Sequence, residues 1–190
     1  MKTIGLDPGN VETAWVIVAD GLPVEHGKGR NEDVLECVRS AFDLGAVLAC
    51  EGIASYGMAV GKEVFDTCRW IGRFEEAWKF RGGNFHLVYR KDVKLFHCET
   101  SRANDANIRA ALLDRFGPGR EIAVGSKRSP GPLFGIKGDE WSALAVALTA
   151  EGKPMPPALF REPGRFTKDE VCAAFGVDPR MVRDADEKPF

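Results

Sequence analysis

The sequence predicts an α/β protein with a mixed central sheet, on three observations. The chain opens with β-type runs in succession, over residues 2–6, 12–19 and 22–26. A helix-periodic stretch separates these from residues 46–50, Ala-Val-Leu-Ala-Cys, an uninterrupted apolar run of the kind found in parallel strands covered on both faces. Beyond it, stretches with apolar residues at steps of three and four alternate with one more strand-like run, 84–89. That order gives a three-stranded antiparallel opening followed by parallel strands, flanked by helices.

Taken in turn, residues 2–6 and 12–19 are joined by Asp7-Pro8-Gly9-Asn10. Proline presets one dihedral there and Gly or Asn accepts positive φ, so the two runs read as a hairpin. Pro23 marks the third strand as an edge, since proline lacks a ladder donor. Asn31 reads as a helix cap, with Val34, Leu35, Val38 and Phe42 on one face before Gly45 ends the helix. After the buried strand, Glu51-Gly52 opens a connection rich in glycine and small residues that runs to Gly61. The next helix places Val64, Cys68, Ile71, Phe74 and Trp78 on its core stripe and stops at Gly82-Gly83.

Strand 84–89 runs into a basic cluster, Arg90, Lys91 and, a little further on, Lys94. A further helix carries Ile108, Leu112 and Phe116, with Asp105 in its first turn. Residues 117–138 show almost no periodicity and contain Lys127-Arg128; a connection of that size is usually functional or disordered. A helix over 139–150 closes a first domain, residues 1–150. Pro154, Pro156 and Pro157 then read as a stiff linker into a short helical tail, within 151–190, where Thr167 and Glu170 have capping-box spacing.

Composition narrows the function classes. A chain of 190 residues with 44% hydrophobic content buries one sizeable core and leaves room for an appendage. The net charge of −2 gives no global basic signature, so a nucleic-acid partner would have to be held by a local basic face. The 5 cysteines are odd in number and form no C-x-x-C pair, which suits buried thiols in a reducing compartment. The sequence starts directly with a strand, and no apolar run approaches the ~20 residues that span a bilayer, so a soluble cytoplasmic protein is expected.

Asp7 ends the first strand, Glu51 follows the buried strand, and Asp139 precedes the apolar helix. Carboxylates in those places can converge, because parallel α/β sheets work at the carboxyl ends of their strands. Three such acids suit phosphodiester hydrolysis, in which paired divalent cations activate water and neutralise developing charge. Hard oxygen donors favour Mg²⁺ or Mn²⁺; His26, His86 and His97 are scattered and no thiolate cluster points to zinc. Each acid also has a bland reading, as a turn residue, a strand end or a helix cap.

Ile4-Gly5-Leu6-Asp7-Pro8-Gly9-Asn10, Ala49-Cys50-Glu51 and the run from Gly138-Asp139-Glu140-Trp141-Ser142 to Ala147 resemble, in order, the three acidic motifs of RuvC-type Holliday junction resolvases. The chain looks most like the compact phage and prophage branch, over about residues 2–150. The resemblance implies an RNase H-like fold and a homodimer that cuts four-way or otherwise branched DNA with Mg²⁺ or Mn²⁺. It implies Asp7, Glu51 and Asp139 as metal ligands and Lys94 as a contact near the scissile phosphate. It further implies that the segment around Tyr56 and Met58 touches the crossover, while Arg90, Lys91, Lys127 and Arg128 are candidates for phosphate contacts. Ser142 stands where the bacterial family has a further aspartate, and Asp105 where it has a second lysine, which leaves Asp105 and Glu140 as candidates for a fourth acid. A nuclease acting on RNA–DNA hybrids or structured RNA, and a non-cleaving branched-DNA binding module, are the competing expectations. An actin-like or sugar-kinase-like ATPase would need a second phosphate hairpin and a second lobe, for which the chain is too short.

Overall fold

A computed structural model describes residues 1–55, 57 and 59–152. Tyr56, Met58 and the expected linker and tail from residue 153 onward lie outside the described residues. The strands are β1 (Lys2–Pro8), β2 (Glu12–Ala19), β3 (Leu22–Arg30), β4 (Val47–Gly52) and β5 (Asn84–Tyr89), ordered β3-β2-β1-β4-β5 in one sheet. β2 is antiparallel to both β1 and β3, whereas β1, β4 and β5 are parallel, so the mixed sheet has the expected antiparallel opening. The helices are α1 (Asn31–Glu36), continued by a π-helical turn over Cys37–Ala41, then α2 (Lys62–Phe80), α3 (Arg90–Cys98), α4 (Asp105–Phe116), α5 (Arg120–Ala123) and α6 (Glu140–Gly152). A two-stranded ribbon, β6 (Gly125–Ser126) with β7 (Ser129–Pro130), lies in the stretch expected to lack structure.

Alternation along the strands sorts side chains into a layer on each face. Ile4, Leu6, Leu48 and Cys50 face α1 and α2, packing on Val34, Leu35, Ile71, Phe74 and Trp78. Ala14, Val16, Val18 and Ala49 face α6, behind which α3 and α4 contribute Val93, Ile108 and Leu112. α6 is apolar on nearly every side because it is sandwiched between the sheet and other helices, which removes any need for a polar stripe.

Several expectations need correction. β3 runs four residues beyond its expected end, to Arg30, because its pairing with β2 continues past Pro23 through a register shift. Asn31 does not cap α1: Arg30 occupies that position, and the Asn31 side chain is buried in contacts to the β1–β2 turn. α1 itself is short, and the chain is π-helical before Gly45. On α2 the buried stripe is Thr67, Ile71, Phe74 and Trp78; Val64 is half-buried and Cys68 exposed, so the stripe starts later and one thiol faces solvent. The basic cluster after β5 belongs to a helix of its own, α3, with Val93 its only fully buried residue. Among the described residues, no helix is long and apolar enough to cross a membrane.

Candidate active site

β1 and β4 run parallel with Leu6 opposite Cys50. The next residue on each strand is an acid, so Asp7 and Glu51 leave the sheet side by side at its carboxyl edge. Leu6 and Cys50 enter the α1–α2 core, and alternation turns Asp7 and Glu51 to the opposite face, where α6 packs. The turn after Asp7 is tied to the start of α1. The Asn31 amide donates to Gly9 O at 3.0 Å, its own carbonyl oxygen accepts from Thr13 Oγ1 at 2.6 Å, and Gly9 N donates to Glu12 O at 2.8 Å.

α6 delivers the third acid. Gly138 has a φ of 50°, a left-handed conformation that glycine adopts without a Cβ penalty, and it turns the chain into the helix. Asp139 sits at that turn, its carbonyl accepting from Ser142 N at 3.0 Å and Ala143 N at 3.1 Å. The helix approaches β1 at Gly5, where an added Cβ would lie 2.1 Å from Ala143 O and 2.9 Å from Ala147 N. Strand and helix backbones touch there, so an absent side chain sets the separation of Asp7 from the helix that follows Asp139.

These acids open into one cleft of ≈ 470 Å³, whose walls include Asp7, Glu51, Arg90, Asp105, Asp139 and Ser142. An adjoining chamber of ≈ 370 Å³ shares Arg90, Asp105, Asp139 and Ser142 and continues between α4 and α6 to Arg109 and Trp141. Burial, followed by the nearby charges of Glu51 and Asp139, pushes the Asp7 carboxyl up to about 7. Burial also raises Glu51, against the pull of the Arg90 guanidinium. The Arg90 guanidinium bridges two acids, reaching Glu51 Oε1 at 3.4 Å and bonding the Asp105 carboxylate. Lys28 Nζ lies 2.9 Å from Asp139 and 3.2 Å from Glu12. Its place follows from register: Asp7 is opposite Ala14 and Ala14 opposite Lys28, one row across the sheet.

The cleft walls carry four carboxylates and neither imidazole nor thiolate, a donor set that fits a hard divalent cation in kind. As they stand, no three or more His, Cys, Asp or Glu side chains among the described residues form a group that could hold a metal ion. Glu51, Asp105 and Asp139 are each paired instead with Arg90 or Lys28.

No protein-family model matches the sequence. No curated protein matches it either. Solved structures do. The Thermus thermophilus RuvC structure superposes with a TM-score of 0.55 at 17% identity, over 78% of this chain and 92% of that one. T. thermophilus RuvC in complex with Holliday junction substrate superposes with a TM-score of 0.54 at 18% identity, over 78% of this chain and 91% of that one. The fold is that of RuvC. This agrees with the mixed five-stranded sheet and its flanking helices, an RNase H-like arrangement.

On this RuvC fold the expected residues fall into three groups. Asp7, Glu51, Asp139 and Asp105 line the cleft, and Arg90, expected only as a phosphate contact, lies among them. Of the two candidates for a fourth acid, Glu140 is turned away: buried, it accepts from Lys137 N at 3.0 Å and meets His26 Nδ1 at 3.0 Å. Lys94 is half-buried one turn beyond Arg90 on α3, Lys91 is exposed nearby, and neither is among the residues that line the cleft or its neighbouring chamber. Lys127 and Arg128 form the exposed turn of the β6–β7 ribbon. Sequence reading missed Lys28, Arg109 and Trp141. Lys28 would have emerged from extending β3 by one more alternation, and Arg109 from its spacing of one helical turn after Asp105; the placement of Trp141 against α4 is tertiary and leaves no local trace.

Proposed function

We propose that this chain is a divalent-metal-dependent, structure-selective DNA endonuclease that acts on four-way or otherwise branched DNA, working as a homodimer. The observation that carries the reading is the convergence of Asp7, Glu51, Asp105 and Asp139 on one cleft, with Asp7 held near neutrality by burial and by its acidic neighbours. The likeness in fold to a RuvC solved with a Holliday junction substrate supports the choice of DNA.

In this proposal Asp7, Glu51 and Asp139 hold Mg²⁺ or Mn²⁺, with Asp105 the candidate for a fourth ligand. The cations would supply Lewis-acid activation of water and neutralise charge developing on the phosphate. The strand-borne acids supply a fixed, partly dry edge, since Asp7 and Glu51 are anchored by adjacent parallel strands. Arg90 and Lys28 hold the outer acids until substrate and cations arrive. Arg90 can then turn its guanidinium toward a phosphate, for which its planar fork of donors is suited. Residues 1–150 would form the nuclease domain, with the remaining tail as an appendage.

The test titrates Mg²⁺ and Mn²⁺ against a labelled four-way junction, a matched duplex and an RNA–DNA hybrid. Junction cleavage by wild type that is absent in Asp7→Asn is the expected result. Equal cleavage by both would remove the catalytic assignment, and preference for the hybrid would move the activity to RNA. A second reading, a branched-DNA binder that does not cut, is favoured by the Arg90 bridge between Glu51 and Asp105. Junction binding without cleavage at any metal concentration would select it.

A further inference from the structure

Three of the four cleft acids, Glu51, Asp105 and Asp139, have a basic partner, and those partners are committed. Arg90 is bound to Glu51 and Asp105, and Lys28 to Asp139 and Glu12. Arg109 is different. It stands one turn after Asp105 on α4, lines the ≈ 370 Å³ chamber that continues from the acid cleft, and has no carboxylate partner among the described residues. Its guanidinium instead lies over the Trp141 ring, 4.6 Å from the centroid. That stacking fixes the cation at the chamber wall without neutralising it. Trp141 is itself buried, and its indole Nε1 has no hydrogen-bond partner among the described residues.

We infer that Arg109, stacked on Trp141, is the anchor for a backbone phosphate of the DNA strand next to the one held at the acids. The inference rests on the nuclease reading above and deepens it. The chamber shares Arg90, Asp105, Asp139 and Ser142 with the acid cleft, so a strand whose scissile phosphate lies at the acids passes directly into it. A phosphodiester suits the Arg109 wall: its anionic oxygens match the forked guanidinium donors.

The experiment measures binding of the full chain to a fluorescent four-way junction by anisotropy, in Ca²⁺ or without divalent ions so that cleavage plays no part. Arg109→Ala is expected to weaken binding about tenfold, as loss of one charge-assisted contact does, and to lower the salt slope by about one. Arg109→Lys keeps the charge and is expected to restore the slope with only part of the affinity. Because Arg109 is exposed, these variants should fold, and circular dichroism checks this. Junctions carrying a single neutral methylphosphonate, moved one position at a time along the strand, locate the contact. At one phosphate beside the scissile position the substitution should cost wild type as much as Arg109→Ala and cost Arg109→Ala nothing further. Wild-type affinity and slope in Arg109→Ala, or full additivity at every phosphate, would overturn the inference. Failure of wild type to bind any junction would instead overturn the function on which it rests.

Discussion

Two pairs of acids meet in the cleft, and they are held in opposite ways. Asp7 and Glu51 stand at the ends of adjacent parallel strands, and the Glu51 side chain, though it meets Arg90, is only 16% exposed. Asp105 and Asp139 stand at helix beginnings, with side chains 83% and 58% exposed, and each is engaged by a basic side chain. Burial raises the affinity of the strand pair for protons, and a cation would be the stronger remedy. The helix pair is solvated and already paired with Arg90 and Lys28, so binding a metal ion there would mean exchanging one cationic partner for another. The contrast separates a rigid half of the site, fixed by sheet register, from an adaptable half that follows side-chain rotation.

Substitutions should expose that contrast. The largest effect is expected at the rigid half: Asp7→Asn or Glu51→Gln should lower junction cleavage by more than about a hundredfold, beyond the cost of losing an outer partner, whereas Asp105→Asn should cost about tenfold. Equal losses at all three, measured as single-turnover rates, would erase the distinction. Next in size, Gly5→Ala should destabilise the protein by about 3 kcal/mol, the upper range for overpacking, because α6 must retreat from β1; thermal denaturation reads this directly.

A smaller effect concerns pH, with a chelator present. Folding raises the Asp7 carboxyl from its ordinary 3.8 to about 7, so folding favours its protonated form. The associated stability is complete below pH 3.8, declines as pH rises from there, and is gone once pH passes about 7. Asp7→Asn should therefore melt higher than wild type at pH 8 and flatten the profile between those limits; an unchanged profile would contradict the burial of this group. The smallest effect is expected at Lys28. Lys28→Ala removes an exposed pair and should barely alter stability, yet by releasing Asp139 it should tighten Mn²⁺ binding up to about fivefold, read by calorimetry.

The rigid half was legible in the sequence because strand ends announce themselves. An apolar run that stops at an acid places that acid at a sheet edge, and both Asp7 and Glu51 could be assigned from residues 2–10 and 46–52 alone. β5 and α4 were legible for similar reasons of periodicity. α3 was not: in a nine-residue helix with one fully buried side chain, Arg90, Lys91 and Lys94 read as a basic cluster after the strand rather than as a helix. The adaptable half depends on contacts between distant segments. Arg90 meets Asp105 from 15 residues away and His26 meets Glu140 from 114, and no local pattern marks such partners. Asn31 illustrates the ambiguity most directly, since a good capping residue was used to clamp a turn 22 positions earlier.

The contact at Gly5 bears on how such a site could change over time. Where two backbones meet with nothing between them, the spacing of the groups they carry is quantised: the smallest available enlargement is a whole methyl group. Rotamer changes elsewhere in the cleft offer fine gradations that this junction lacks. New specificities would then arise in the outer walls, around Arg109, Lys28 and the loop after Glu51, while the strand–helix seam stays as it is.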